Sequence, residues 1–264
     1  TIYDFIAIDP RGNGNSSALG CVEGLEQLLD ANWAATDPAD IADLQDARAD
    51  FVAACVDGDD EIVEHMGTMN LVDDLETVRM FIDADQISYY GVGHGATIGR
   101  LYADKYPDRV RAMVLDSIPA EGDLGEQLND QVEASVSALA DFSDWCAQEE
   151  DCWLNDAPTG RIFELLEQTS VDPISGDGGR ELNYTRALYG IWPHLMDSNL
   201  WQTLSYNVDQ ALISDPSNLL EVGDDYFARK SETSFDDSHA AAYYFTLCGD
   251  MVQVPNLETI AQDA

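Results

Sequence analysis

Hydrophobic positions along the chain fall into two regimes. Over residues 1–119 they alternate between short apolar runs and stretches of helical period. Ile2, Phe5, Ile6 and Ile8 alternate and then run together, as a central strand would, and the turn-rich "DPRGNGNSS" follows. Asp37-Pro38 opens a helix, with proline at its first position and Ile41, Leu44, Ala47 and Phe51 at helical spacing. A second helix is predicted from about Asn70, a residue type suited to an N-cap, through Leu71, Leu75, Val78 and Ile82. "QISYYGV" reads as a short buried strand, "ATIGRLYADKY" as a helix ended before Pro107, and "RVRAMVLDS" as another strand. Strand and helix in alternation predict a parallel sheet with crossover helices.

After Pro119 the pattern changes. From about 120 to 245 the period is mostly helical, with Leu128, Val132, Val136 and Leu139, then Ile162, Leu165 and Leu166. Strand alternation of comparable strength is not seen there. The expected organisation is a core over 1–119, a helical lobe over 120–245, and a return towards the core over 246–264. With 45% hydrophobic residues the chain can bury a sizeable core. It contains no run of about 18 apolar residues, so no membrane span is expected. The first residues resemble a buried strand more than a signal peptide, and a chain that opens on a core strand is expected to be part of a longer product.

Charge narrows the partners. Acids number 51 against 12 bases, for a formal net charge of −39; aspartate supplies 35 of the acids, and Lys105 and Lys230 are the only lysines. Nucleic acid and anionic membranes would be repelled, and no basic stripe exists to hold them. An acidic solvated surface of this kind suits work at high salt, where self-repulsion is screened.

The cysteines are Cys21, Cys55, Cys146, Cys152 and Cys248. There is no C-x-x-C pair and no Cys/His spacing that fits zinc, so no metal site is expected. Either the cysteines are reduced and buried, or they form disulfides in an oxidising compartment, the odd one being a free thiol or paired outside the chain. The second is the expectation here.

The segment "YYGVGHGATIGRLYA", residues 89–103, carries the most chemistry. Between a strand and a helix, G-x-S-x-G is the turn on which a hydrolase mounts its serine. Here the five positions are Gly91, Val92, Gly93, His94 and Gly95. Small residues flank a middle position that such a turn holds in a strained backbone conformation. A second reading is a dinucleotide turn, G-x-G-x-x-A, with Asp116 as the acid beyond the glycines.

Five segments taken in order favour the first. "YDFIAIDPRGNGNSS", "NLVDDLETVRMFI", "ISYYGVGHGATIGRLYADKYPDRVRAMVLDSIP", "FSDWCAQEEDC" and "YYFTLCGD" together resemble the secreted tripeptidyl-aminopeptidase and proline-iminopeptidase-like branch of the α/β-hydrolases. The resemblance runs from Thr1 to about Asp250, strongest over 1–20 and 70–119. It implies an α/β-hydrolase core, seen in part, with a helical cap. It also implies a D-x-R-G-x-G-x-S loop that shapes the site, no cofactor, and release of residues or short peptides from free N-termini. The substrate would be a peptide or a small ester or amide. The sequence carries no signal of oligomeric state.

Carried across residue by residue, the family's serine falls on Gly93, which cannot form an acyl-enzyme. The triad acid and histidine would follow the cap, beyond Ala264, and one oxyanion donor would precede the first strand. The other donor would be the backbone N–H of His94. The resemblance implies disulfides Cys21–Cys55 and Cys146–Cys152, with Cys248 paired outside the chain. Arg11 is expected to tie its loop by ion pairs. His194 and His239, inside the expected cap, read as surface or packing residues, whereas His94 sits on the turn, within range of Asp116 and Ser117 as alternative partners.

Overall fold

The computed structural model describes residues 4–16, 19, 22–118, 124–154, 157–231, 234–235 and 239–250. Its helices are α1 (Val22–Asp30), α2 (Pro38–Val63), α3 (Thr68–Phe81), α4 (His94–Lys105), α5 (Leu124–Cys146), α6 (Pro158–Val171), α7 (Tyr184–Leu195), α8 (Trp201–Leu212), α9 (Ser217–Tyr226) and α10 (His239–Asp250). Strands β1 (Ile87–Val92) and β2 (Val110–Asp116) form a parallel pair, with Ser88 opposite Ala112 and Val92 opposite Asp116. The chain divides into two compact units, one of Thr1–Leu19, Asp59–Asp130 and Ser238–Ala264, the other of Gly20–Gly58 and Gln131–Asp237.

The first unit is a β1–α4–β2 crossover with α3 packed on α4. Residues of odd and even number leave opposite faces of a strand. Ile87 and Tyr89 of β1 and Met113 of β2 therefore meet Leu71, Val72 and Leu75 of α3 and Ile98 and Tyr102 of α4. Tyr90, Val92 and Val114 leave the other face and are exposed. A buried network locks α3 to α4. Arg79 donates to both oxygens of Glu76 (2.7 and 2.8 Å), the Tyr102 hydroxyl donates to Glu76 Oε2 (2.7 Å), and Arg79 Nη1 donates to the Ala84 carbonyl.

Two expectations change. Residues 4–10 form no strand, and Phe5 is 90% exposed. An apolar run marks a segment able to join a sheet, but the ladder also needs an edge, which the pattern does not specify. The helix expected from about Asn70 begins at Thr68, with Gly67 in extended conformation at the N-cap. Glycine lacks a capping side chain, so the first turn takes its acceptor from elsewhere: Asp250 Oδ1 receives the Thr68 N–H at 2.6 Å.

The second unit is mainly helical. Phe142, Leu165, Leu182, Leu204, Val208 and Leu219 are buried at the centre of its core. Two short antiparallel pairs, β3 (Ile174–Ser175) with β4 (Glu181–Leu182) and β5 (Arg229–Ser231) with β6 (Ser234–Phe235), are too brief to show as alternation in the sequence. Asp37 caps α2 as expected, accepting from Ala39 N–H at 2.9 Å. Asn183 joins two helix ends: its side-chain oxygen accepts from Arg186 N–H at the start of α7, and its Nδ2 donates to the Leu29 and Asp30 carbonyls at the end of α1. A disulfide joins Cys146, the last residue of α5, to Cys152. Cys55 is also disulfide-bonded; Cys21, its expected partner, and the side chain of Cys248 lie outside the described residues. Among the described residues, no helix is long and apolar enough to cross a membrane.

Candidate active site

The chain reverses from β1 into α4 through a single residue. Gly93 has φ 57° and ψ −122°, the backbone of the first central position of a type II′ turn, which glycine adopts at no steric cost. Its N–H donates to the Asp116 carbonyl at the end of β2 (3.0 Å), and its own carbonyl accepts from Ala96 and Thr97 N–H to start the helix. A Cβ at Gly91 would lie 2.4 Å from the Gly95 carbonyl oxygen, so the close approach across the turn requires glycine there. At Gly95 the nearest atom would be the Tyr89 hydroxyl at 3.7 Å, an ordinary contact. Of the two flanking glycines, only Gly91 is demanded by space. A Cβ on Gly93 would meet nothing within 4 Å.

Two N–H groups at this helix start lack an intrahelical acceptor. Neither His94 nor Gly95 N–H has an acceptor among the described residues, and both lie at the positive end of the α4 dipole. Such a pair stabilises an oxyanion when the reacting carbonyl is placed against it.

The His94 ring has its own partners. Its Nε2 lies 2.7 Å from the buried Thr68 hydroxyl, which in turn donates to Asp250 Oδ2. The surrounding protein disfavours the imidazolium and lowers the His94 pKa, a shift that the Asp250 charge opposes in part. Asp116 and Ser117, the partners considered from sequence, bond instead to each other, with Ser117 Oγ donating to Asp116 Oδ1 at 3.1 Å. Thr68 and Asp250 were not legible as site residues. They meet where Gly67 and Gly249 approach each other, a Cβ on Gly249 falling 3.1 Å from Gly67 Cα, and a contact between residues 182 positions apart leaves no local spacing to find.

The loop before α1 is built as a support. Arg11 donates to both carboxylate oxygens of Asp74 on α3 (2.6 and 2.7 Å) and to the His65 carbonyl (3.2 Å), the tie expected of it. Asp9 Oδ2 accepts from Asn15 N–H at 2.9 Å, and Ser16 Oγ donates to the Asp9 carbonyl at 2.6 Å. The remaining histidines lie apart. His65 is exposed, His194 is half-buried in α7, where burial lowers its pKa, and the His239 side chain lies outside the described residues.

The second unit holds a cleft of about 340 Å³ lined by Glu26, Asp30, Arg180 and Arg186, among others. Its arginines are engaged: Arg186 pairs with Glu26 and Asp30, and Arg180 with Asp224. The first contacts tie α7 to α1, and the last ties the turn before β4 to α9.

A strand–turn–helix elbow on a parallel pair is the arrangement of an α/β-hydrolase. A model of the alpha/beta hydrolase fold family matches residues 1–147, and the chain belongs to that family. Among proteins, it is 28% identical over 251 residues to the "Serine protease Hip1" of Mycobacterium tuberculosis, covering 89% of this chain and 48% of that protein. It is 33% identical over 151 residues to the "Tripeptidyl aminopeptidase" of Streptomyces lividans, covering 55% of this chain and 28% of that one. A "Putative hydrolase YuaR" of Escherichia coli is 24% identical over 226 residues, covering 83% of this chain and 44% of its own length. The chain thus spans about half the length of the first of these relatives.

Proposed function

We propose that this chain is a secreted, salt-adapted member of the serine exopeptidase branch of the α/β-hydrolases, built to act at the free N-termini of peptides. In this reading the glycine at position 93 has removed the acyl-enzyme route. The observation that carries the reading is the backbone at Gly93: φ 57° and ψ −122°, with open space where a serine side chain would project and two N–H groups without acceptors beside it among the described residues. Similarity to a tripeptidyl aminopeptidase supports the peptide substrate class. The Cys146–Cys152 disulfide supports an extracellular or cell-surface location, and the net charge of −39 supports a high-salt setting. A second reading, a non-catalytic member that binds peptide without cleaving it, is favoured by the same glycine, which offers no nucleophile.

Fluorophosphonate labelling separates the two. The native protein and its Gly93→Ser variant are treated in molar salt, and the peptide spanning residues 89–103 is read by mass spectrometry. The hydrolase reading expects the variant to label at the introduced serine while the glycine parent does not. A folded variant that fails to label would overturn it and leave the binding role.

A further inference from the structure

The His94 ring carries a defined proton placement. The Thr68 hydroxyl has one proton and donates it to the Asp250 carboxylate, which only accepts. Thr68 Oγ1 must therefore accept at its contact with His94, and the atom that donates to it is His94 Nε2–H. In the neutral ring the lone pair then resides on Nδ1, which has no hydrogen-bond partner among the described residues. The same residue supplies one of the two backbone N–H groups left without an acceptor at the start of α4 among the described residues, and it directly follows the open position at Gly93. The groups presented by the elements around α4 are Thr68 from α3, Asp250 from α10, the Tyr89 hydroxyl from β1 and Asp116 from β2. Of these charges, Asp250 is the one that acts on the ring.

We infer that His94 is itself a general base, its Nδ1 activating a water molecule at the elbow for attack on an activated ester, with Thr68 and Asp250 as positioning residues. The inference rests on the hydrolase reading of this elbow but needs no serine at position 93. In the step, a water O–H bond breaks as its proton moves to Nδ1, and the water oxygen forms a bond to the acyl carbon. The carbonyl oxygen gathers negative charge against the His94 and Gly95 N–H groups. Collapse breaks the bond to the alkoxy or aryloxy leaving group, which departs as the anion or with a proton from the imidazolium. The ester and one water yield acid and alcohol, and the base is regenerated.

The probe is p-nitrophenyl acetate, hydrolysed by the glycine parent in molar salt across a range of pH. The expected rate exceeds that of free imidazole at equal concentration and rises as a group titrates below the ordinary histidine value of about 6.5. His94→Gln, which keeps the backbone N–H, should lower the rate by about a hundredfold. Asp250→Asn removes the charge that favours the imidazolium, so it should move the midpoint to lower pH. Thr68→Val should lower the rate, and Thr68→Ser should restore it. The ¹⁵N spectrum of the parent's imidazole groups should place the His94 proton on Nε2, a readout that needs no variant to fold. A parent no faster than free imidazole, a His94→Gln variant that retains the parent's rate, or a proton found on Nδ1 each overturns the inference. Fluorophosphonate labelling of Gly93→Ser reports on the elbow separately, so failure of the base and failure of the hydrolase reading are distinct results.

Discussion

At the scale of single residues, the elbow separates two kinds of glycine. Gly93 is needed for its dihedral angles alone, whereas Gly91 is needed because a backbone carbonyl occupies the space of its Cβ. Gly93→Ala should therefore cost about 1–2 kcal/mol, the penalty for a non-glycine residue at positive φ. Gly91→Ala should cost about 3 kcal/mol or more, because α4 must shift away from β1. Urea denaturation of both variants checks the order, and a Gly93→Ala variant less stable than Gly91→Ala would contradict it. The motif "GVGHG" is enough to locate this turn, because glycine spacing between a strand and a helix encodes it locally. Thr68 and Asp250 were hidden, since the contact that makes them part of the site depends on tertiary folding alone.

Among the elements, α3 is held at both ends by groups distant in sequence. Asp250 receives its first N–H, and the Glu76–Arg79–Tyr102 network fixes its later turns to α4. The Arg79 guanidinium, followed by the Tyr102 hydroxyl, holds the Glu76 carboxyl at about 2, below its ordinary value of 4.5. The unfolded chain therefore binds more protons than the folded one between these values. The contribution of Glu76 is complete above about pH 4.5 and is lost as pH falls through about 2. Glu76→Gln should lower stability by about 2 kcal/mol at pH 7. It should also flatten the acid limb of the stability profile, measured by urea unfolding from pH 7 to 2; an unchanged acid limb would remove Glu76 from the account. Helices α2, α3 and α4 were legible from periodicity and from Pro38 and Pro107, α1 was not read from the sequence, and the caps were less legible than the helices. Asn70 is a better capping residue than Gly67, yet the cap lies three residues earlier because Asp250 supplies the missing acceptor.

Across the whole molecule, charge sets the conditions for folding. With −39 formal charges the compact state carries strong self-repulsion, and the Debye length shrinks from about 10 Å at 0.1 M salt to about 3 Å at 1 M. The melting temperature should rise by on the order of 5 °C between these concentrations. Calorimetry that finds no rise would sink the salt-adapted reading. Fold class was legible at this scale because strand–helix alternation and the change after Pro119 are long-range patterns. The behaviour of residues 4–10 was not, since the same apolar run serves a paired strand or an exposed segment outside any strand.

The open space at Gly93 also has a meaning for descent. Some glycine codons become serine codons by a single base change, and the fold places nothing in the way of the new side chain. The turn, its helix-terminal N–H groups and its glycine neighbour at position 91 are already in place. From such a codon a single mutation would present a hydroxyl at the elbow, with no accompanying rearrangement of the scaffold. The reverse step, which silences such a hydrolase, is equally short and relieves backbone strain.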